Sequence, residues 1–152
     1  LEIAMTKIIG VIGGSEAPPD ILLLAEKVGR LIARAGCVLV CGGLGGVMEA
    51  ASRGAKAEGG ITIGILPGPT RGEANPHIDI GIATNMGHAR NAVIAHTADT
   101  LIAIGGRYGT LSEIAFSLAL GKKVVGLRSW ECDPAIVPAK NPEEAVEKAL
   151  NG

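Results

Sequence analysis

Three short runs of mostly β-branched and aliphatic residues stop at glycine pairs, and this recurrence constrains the fold more than any other feature of the chain. Ile8, Ile9, Val11 and Ile12 lead into Gly13-Gly14-Ser15; residues 38–41 lead into Gly42-Gly43-Leu44-Gly45-Gly46; residues 100–104 lead into Gly105-Gly106-Arg107-Tyr108-Gly109. A run that is apolar at consecutive positions belongs to a strand buried on both faces, as in a parallel sheet covered by helices. Glycines at the end of such a strand allow the sharp turn into the next helix.

The intervening segments supply the helices and the remaining strands. Pro18-Pro19-Asp20 introduces a helix over residues 21–35, with Leu24, Val28, Leu31 and Ile32 at helical spacing and Gly36 as a left-handed stop. Residues 47–58 read as a second helix closed by Gly59-Gly60, residues 61–66 as a third strand, 67–77 as a surface loop and 78–83 as a fourth strand. Helices follow over residues 87–98 and 110–120, the latter ending at Gly121, with a sixth strand at 124–127. Beyond a tail segment around Ile136-Val137, Asn141 caps and Pro142 opens a last helix through residues 145–150. Such alternation requires right-handed crossovers and predicts an α/β fold: a doubly wound, mostly parallel sheet of the modified Rossmann kind. The 152 residues suit one domain, a Rossmann-like phosphate-binding unit over residues 1–152.

Ligands of such sheets bind outside the carboxyl ends of the strands, where all three glycine loops fall. Backbone N–H groups and the positive end of a helix dipole attract an anion there, and phosphate is the natural guest. The competing reading is that each loop is only a tight turn needing positive φ. Gly43-Leu44-Gly45-Gly46-Val47-Met48 lacks the last glycine of G-x-G-x-x-G, and no G-x-x-x-x-G-K-[ST] occurs, which disfavours a dinucleotide and excludes a Walker-type ATPase.

Composition removes other classes. Fourteen basic residues against 15 acidic ones, a formal charge of −1, supply no basic field for nucleic acid, and Tyr108, Phe116 and Trp130 are too few for a stacking platform. Mean hydropathy is +0.37, yet glycine, proline or charge breaks every apolar run well short of the roughly 18 residues a membrane span needs. Residues 7–14 lack a signal-type core, and the three cysteines include no metal-binding pair, so a reduced, cytoplasmic protein is expected. Cys37 and Cys41, four apart on one strand, stand roughly 13 Å apart and cannot bridge. His77, His88 and His96 are isolated, so no metal site is expected. Leu1 to Ala4 precede Met5, which can serve as a start, and the sequence leaves open whether they are native.

The segment from Asp99 to Glu113, with Gly105-Gly106-Arg107-Tyr108-Gly109-Thr110-Leu111-Ser112-Glu113 at its heart, resembles the P-G-G-x-G-T-x-x-E signature of the Lonely Guy family, formerly labelled lysine-decarboxylase-like. Asn85-Met86-Gly87-His88-Ala89-Arg90-Asn91 resembles that family's methionine-to-arginine helix start, and Gly42-Gly43-Leu44-Gly45-Gly46-Val47-Met48 its first glycine loop. The pattern departs in placing Gly105 at the family's proline, Arg107 at its second glycine and Asn91 at the lysine after the arginine. The resemblance implies a Rossmann-like oligomer, and either of two functions. One is a phosphoribohydrolase that splits a nucleoside 5′-monophosphate into base and ribose 5-phosphate; the other, towards which the short chain leans, is a non-catalytic molybdenum cofactor carrier. A structural or regulatory oligomer that only senses a nucleotide is a third reading.

The residues expected to act are Arg90, on phosphate or base, and Glu113, facing the ribose and stabilising an oxocarbenium-like charge. Gly13, Gly14, Ser15, Gly42, Gly43, Gly45, Gly46, Gly105, Gly106, Arg107, Tyr108, Gly109 and Thr110 are expected around the ligand. Thr110-x-x-Glu113 also spells a capping box, with Thr110 as cap and phosphate donor. Arg90, in the first turn of its helix, opposes the dipole, a penalty that an anion would remove. No cofactor is expected to be required; the ligand is a nucleoside monophosphate or molybdenum cofactor. The helix over 110–120 is apolar on several faces, more than one sheet can cover, which predicts a homodimer or homotetramer.

Overall fold

The computed structural model describes residues 5–151, so Leu1 to Ala4 lie outside the described residues, as does Gly152. Seven strands form one sheet in the order β4-β3-β2-β1-β5-β6-β7, every neighbouring pair parallel. They are β1 (Ile8–Gly13), β2 (Val38–Cys41), β3 (Thr62–Leu66), β4 (Ile80–Ala83), β5 (Thr100–Ile104), β6 (Lys123–Leu127) and β7 (Val137–Ala139). The α-helices among the described residues are α1 (Pro19–Arg34), α2 (Val47–Ala57), α3 (Arg90–Thr97), α4 (Tyr108–Ala119) and α5 (Pro142–Leu150). The α/β doubly wound sheet is therefore the observed architecture. Its central strands are buried at successive positions, β5 at all five, because helices cover both faces: α1, α2 and α5 on one, α3 and α4 on the other.

Strand order turns at β1. The chain builds outward from β1 to β4, then crosses back to lay β5 on the other side of β1. The loops after β1 and β5 consequently part in opposite directions and leave a crevice between them, the place where open α/β sheets bind ligands.

Several boundaries differ from expectation for local reasons. Gly87 has φ +57°, a left-handed value that a right-handed helix excludes, so residues 87–89 form a 3₁₀ turn and α3 proper starts at Arg90. Helix α4 starts at Tyr108, two residues early, because the Arg107 carbonyl already accepts the first helical hydrogen bond from Leu111 at 2.9 Å. Thr110 is thus inside the helix and is not its cap; no side chain caps α4, and the expected capping box with Glu113 does not form. The tail segment contributes a seventh strand, β7, paired with β6 through Val125 and Val137. The loop over 67–77 is not wholly on the surface: Asn75 is buried, its amide donating to the Gly43 carbonyl at 2.9 Å and its Nδ2 to Leu44 at 2.8 Å. The last helix is capped as expected, Asn141 Oδ1 accepting from the Glu144 amide at 2.8 Å.

Candidate functional site

A cleft of about 370 Å³ opens at the carboxyl ends of β1 and β5. Gly13, Gly14, Ser15 and Glu16 form one wall, Arg107, Gly109 and Thr110 the other, and Arg90, Asn91 and Glu113 the interior, with Val11, Ile12, Leu44, Met48 and His88 completing it. The amides of Tyr108, Gly109 and Thr110 precede the first helical bond of α4 and make no backbone hydrogen bond, so the helix presents open donors where Gly109 and Thr110 meet the cleft.

The second glycine loop has a different task from the first. Gly42, Gly43, Gly45 and Gly46 do not line the cleft; they shape what does. A Cβ on Gly42 would stand 2.6 Å from Arg90 Nη2, so only glycine leaves room for the guanidinium. A Cβ on Gly46 would stand 2.3 Å from the Gly14 carbonyl, which accepts from the Val47 amide at 3.0 Å. The start of α2 is therefore spent on holding the first loop. Gly105 and Gly106 flank a separate hollow with Arg128, Ser129, Trp130 and Glu131, and Tyr108 points outward, its ring 6.2 Å from that of Trp130.

Arg90 is only 8% exposed, so its guanidinium is held inside the fold and not on the surface. Its Nε donates to the Ile65 carbonyl at 2.9 Å, Nη2 to the Gly42 carbonyl at 3.4 Å, and Nη1 to Asn91 Oδ1. Three of the five guanidinium N–H groups are thus occupied, and the other two are available to the cleft. Burial lowers the Arg90 pKa from its ordinary value, partly offset by the Glu113 charge. Burial likewise pushes the Glu113 carboxyl up to about 8, against the opposing pull of Arg90. Glu113 is 6% exposed and Thr110 3%, yet neither the carboxyl nor the Thr110 hydroxyl enters a hydrogen bond among the described residues. Their polar atoms stay accessible from the cleft, so a ligand there meets an open carboxyl and an open hydroxyl; among the described residues the fully buried side-chain polar atom without a partner is instead Thr100 Oγ1.

Asn91, 2% exposed, carries the arginine's position across the cleft. Its Nδ2 donates to Ser112 Oγ at 3.1 Å, and Ser112 Oγ donates to the Gly109 carbonyl at 2.7 Å, linking the start of α3 to the first turn of α4. Neither Asn91 nor Ser112 was among the expected site residues; the departure from the family's lysine at Asn91 was the signal that pointed there. Glu16, Leu44 and Met48 carry no such signal, and His88 lies on the exposed rim while His77 and His96 are elsewhere. Cys37, Cys41 and Cys132 are all free thiols, and burial raises that of Cys41. Among the described residues no three His, Cys, Asp or Glu side chains come together as a metal site, and no helix is long and apolar enough to cross a membrane.

Comparison with known proteins places this geometry. The model of the SLOG cluster4 family matches residues 6–151. A protein of unassigned function from Archaeoglobus fulgidus is 48% identical over 143 residues, covering 94% of this chain and 91% of that one. The molybdenum cofactor binding protein from the phototrophic bacterium Rippkaea orientalis superposes with a TM-score of 0.90 at 39% identity, covering 95% of each chain. A cytokinin riboside 5′-monophosphate phosphoribohydrolase of Mycobacterium marinum is 38% identical over 100 residues, which cover 63% of this chain and 53% of the relative. The match therefore spans about half the length of that hydrolase.

Proposed function

The chain belongs to the SLOG cluster4 family, the short branch of the Lonely Guy superfamily, and from that premise we propose that it binds a phosphorylated heterocycle and holds it without cleaving it, with molybdenum cofactor as the favoured cargo. The carrying observation is a single cleft that gathers the buried Arg90 guanidinium, the open amides at the start of α4 and the buried Glu113 carboxyl, whose pKa burial pushes up to about 8. A neutral Glu113 leaves the cleft net positive beside the open amides of α4, which suits a resting phosphoryl group. Cleavage of an N-glycosidic bond asks for the opposite, a carboxylate whose negative charge meets the developing oxocarbenium ion. The volume of about 370 Å³ suits a small phosphorylated ligand. Gly13, Gly14, Ser15, Gly109, Thr110 and Arg107 would hold the phosphoryl group, and Arg90 would fix it from within. Full-length coverage of the Rippkaea protein supports the carrier reading over the hydrolase one.

Hydrolysis is the second reading, favoured by the convergence of Arg90, Thr110 and Glu113 in one cleft, as the phosphoribohydrolase resemblance implies. The separating experiment assays the native protein for co-purified pterin by fluorescence after oxidation, and incubates it with purine 5′-monophosphates. Bound pterin with no released base is expected. Release of free base that Glu113→Gln abolishes would overturn the carrier proposal. The outer face of α4, where Phe116 is 44% exposed and Leu120 is also exposed, supports a homodimer or homotetramer, to be read by light scattering of the eluting protein.

A further inference from the structure

A second cavity, of about 590 Å³, lies at the same edge of the sheet beyond β6 and β7, and shares no lining residue with the glycine-loop cleft. Its chemistry is the reverse. Trp130, Pro134, Ile136 and Pro138 give it apolar walls, and Glu131 and Asp133 bring carboxylates to it. The one basic residue at its edge, Arg128, is paired with Asp20 at 3.0 Å. Asp133 commits Oδ1 to the Ala135 amide at 2.8 Å, and Glu131 enters no hydrogen bond or ion pair among the described residues.

The aromatic wall is held in place beforehand. The Trp130 indole N–H donates to the Arg107 carbonyl at 3.0 Å, Tyr108 packs against the ring at an interplanar angle of 34°, and Ser129 Oγ donates to the Gly105 carbonyl at 2.6 Å. With its N–H spent, Trp130 has only its ring to offer a ligand. Arg128, directly after β6, has φ +53°, a conformation costly for a side chain of that size, and this turn carries the chain outward to form the wall. An anion would meet uncompensated carboxylates here, whereas a flat ring with N–H donors would find a stacking surface and acceptors.

We propose that this cavity is a second binding site, for a planar nitrogen heterocycle bearing amino and ring N–H donors, of the guanine or pterin class, stacked on Trp130 with its donors on Glu131 and Asp133. The proposal goes beyond the anion cleft and does not depend on it. Trp130 is the chain's single tryptophan, so its emission reports on this cavity. Titration of the full chain with guanosine, which has no phosphate, is expected to quench that emission saturably. Inosine, lacking the 2-amino group, should bind about fivefold more weakly, the worth of one hydrogen bond. The double variant Glu131→Gln, Asp133→Asn, in an exposed loop, should bind guanosine at least about tenfold more weakly with an unchanged thermal midpoint, whereas Glu113→Gln should bind it as the parent does. Inorganic phosphate should leave the emission unchanged. Guanosine 5′-monophosphate binding no tighter than guanosine would identify a free heterocycle as the ligand; tighter binding that inorganic phosphate competes away would identify the heterocyclic end of a phosphorylated one. Absence of saturable quenching, or quenching undiminished in the double variant, overturns the proposal.

Discussion

The two cavities at the carboxyl edge of the sheet are made of opposite materials, and their places in the strand order account for it. The cleft between the loops of β1 and β5 sits over the buried centre of the sheet, so its polar groups are desolvated: Arg90 is held by two carbonyls and Asn91, and burial raises the pKa of Glu113. The cavity beside β7 sits at the sheet's margin, where Glu131 and Asp133 remain exposed and an aromatic ring supplies the fixed surface. Central position thus favours recognition of a charged group by backbone and a buried cation, while the margin favours recognition of a flat ring by stacking and acceptors.

The largest test of this contrast removes the cation at the centre. Arg90→Ala leaves the Ile65 and Gly42 carbonyls and Asn91 without their donor, and is expected to cost about 2–4 kcal/mol of stability in denaturant unfolding together with all measurable phosphate binding. Arg90→Lys should recover little of either, because a single ammonium cannot span the same three acceptors. If Arg90→Ala unfolded like the parent, the centre of the sheet would not be holding its cation as described.

A pH series tests the neutral carboxyl next. Below about pH 4.5 Glu113 is protonated both folded and unfolded; between 4.5 and about 8 only the unfolded chain releases the proton, so the folded state loses stability as pH rises through that window. The loss approaches about 1.4 kcal/mol per pH unit, and Glu113→Gln, which lacks it, should gain on the parent steadily from pH 5 to pH 8. Phosphate affinity of the parent should fall through the same upper range as Glu113 ionises beside the anion. A stability difference flat across these pH values would mean that Glu113 is already ionised when folded, and would favour hydrolysis.

The link between helices is a smaller effect. Asn91→Ala and Ser112→Ala should be non-additive for phosphate affinity, with a coupling of about 1 kcal/mol in a double-mutant cycle, because each breaks the same chain from Arg90 to Gly109. Additive losses would reduce Asn91 to local support of the arginine. The smallest change is expected from Arg107→Ala: its side chain is exposed, so phosphate affinity should drop by less than about 1 kcal/mol, and the drop should vanish at high salt.

Much of the fold was readable because the signals were local. Short apolar runs bounded by glycine, such as Val38 to Cys41, read as buried strands, the glycines mark where those strands end, and Asn141-Pro142 carries its own capping chemistry. One local signal lost to another: Thr110-x-x-Glu113 spells a capping box, but the Arg107 carbonyl, three residues upstream of Thr110, takes the first helical bond and puts Thr110 inside the helix. β7 was missed because a strand of three residues containing Pro138 has little pattern of its own and exists by pairing with β6.

The sequence by itself determined the alternation of strand and helix, the glycine turns and the presence of an arginine and a carboxylate in the right order, since each depends on residues a few positions apart. Only the tertiary structure decided which glycines meet the cleft and which make room for Arg90, that Glu113 is buried enough for its pKa to rise, and that Trp130 closes a second cavity. Those outcomes depend on desolvation and on contacts between segments far apart in the chain, such as Gly42 with Arg90 and Trp130 with Arg107, which no spacing along the chain records.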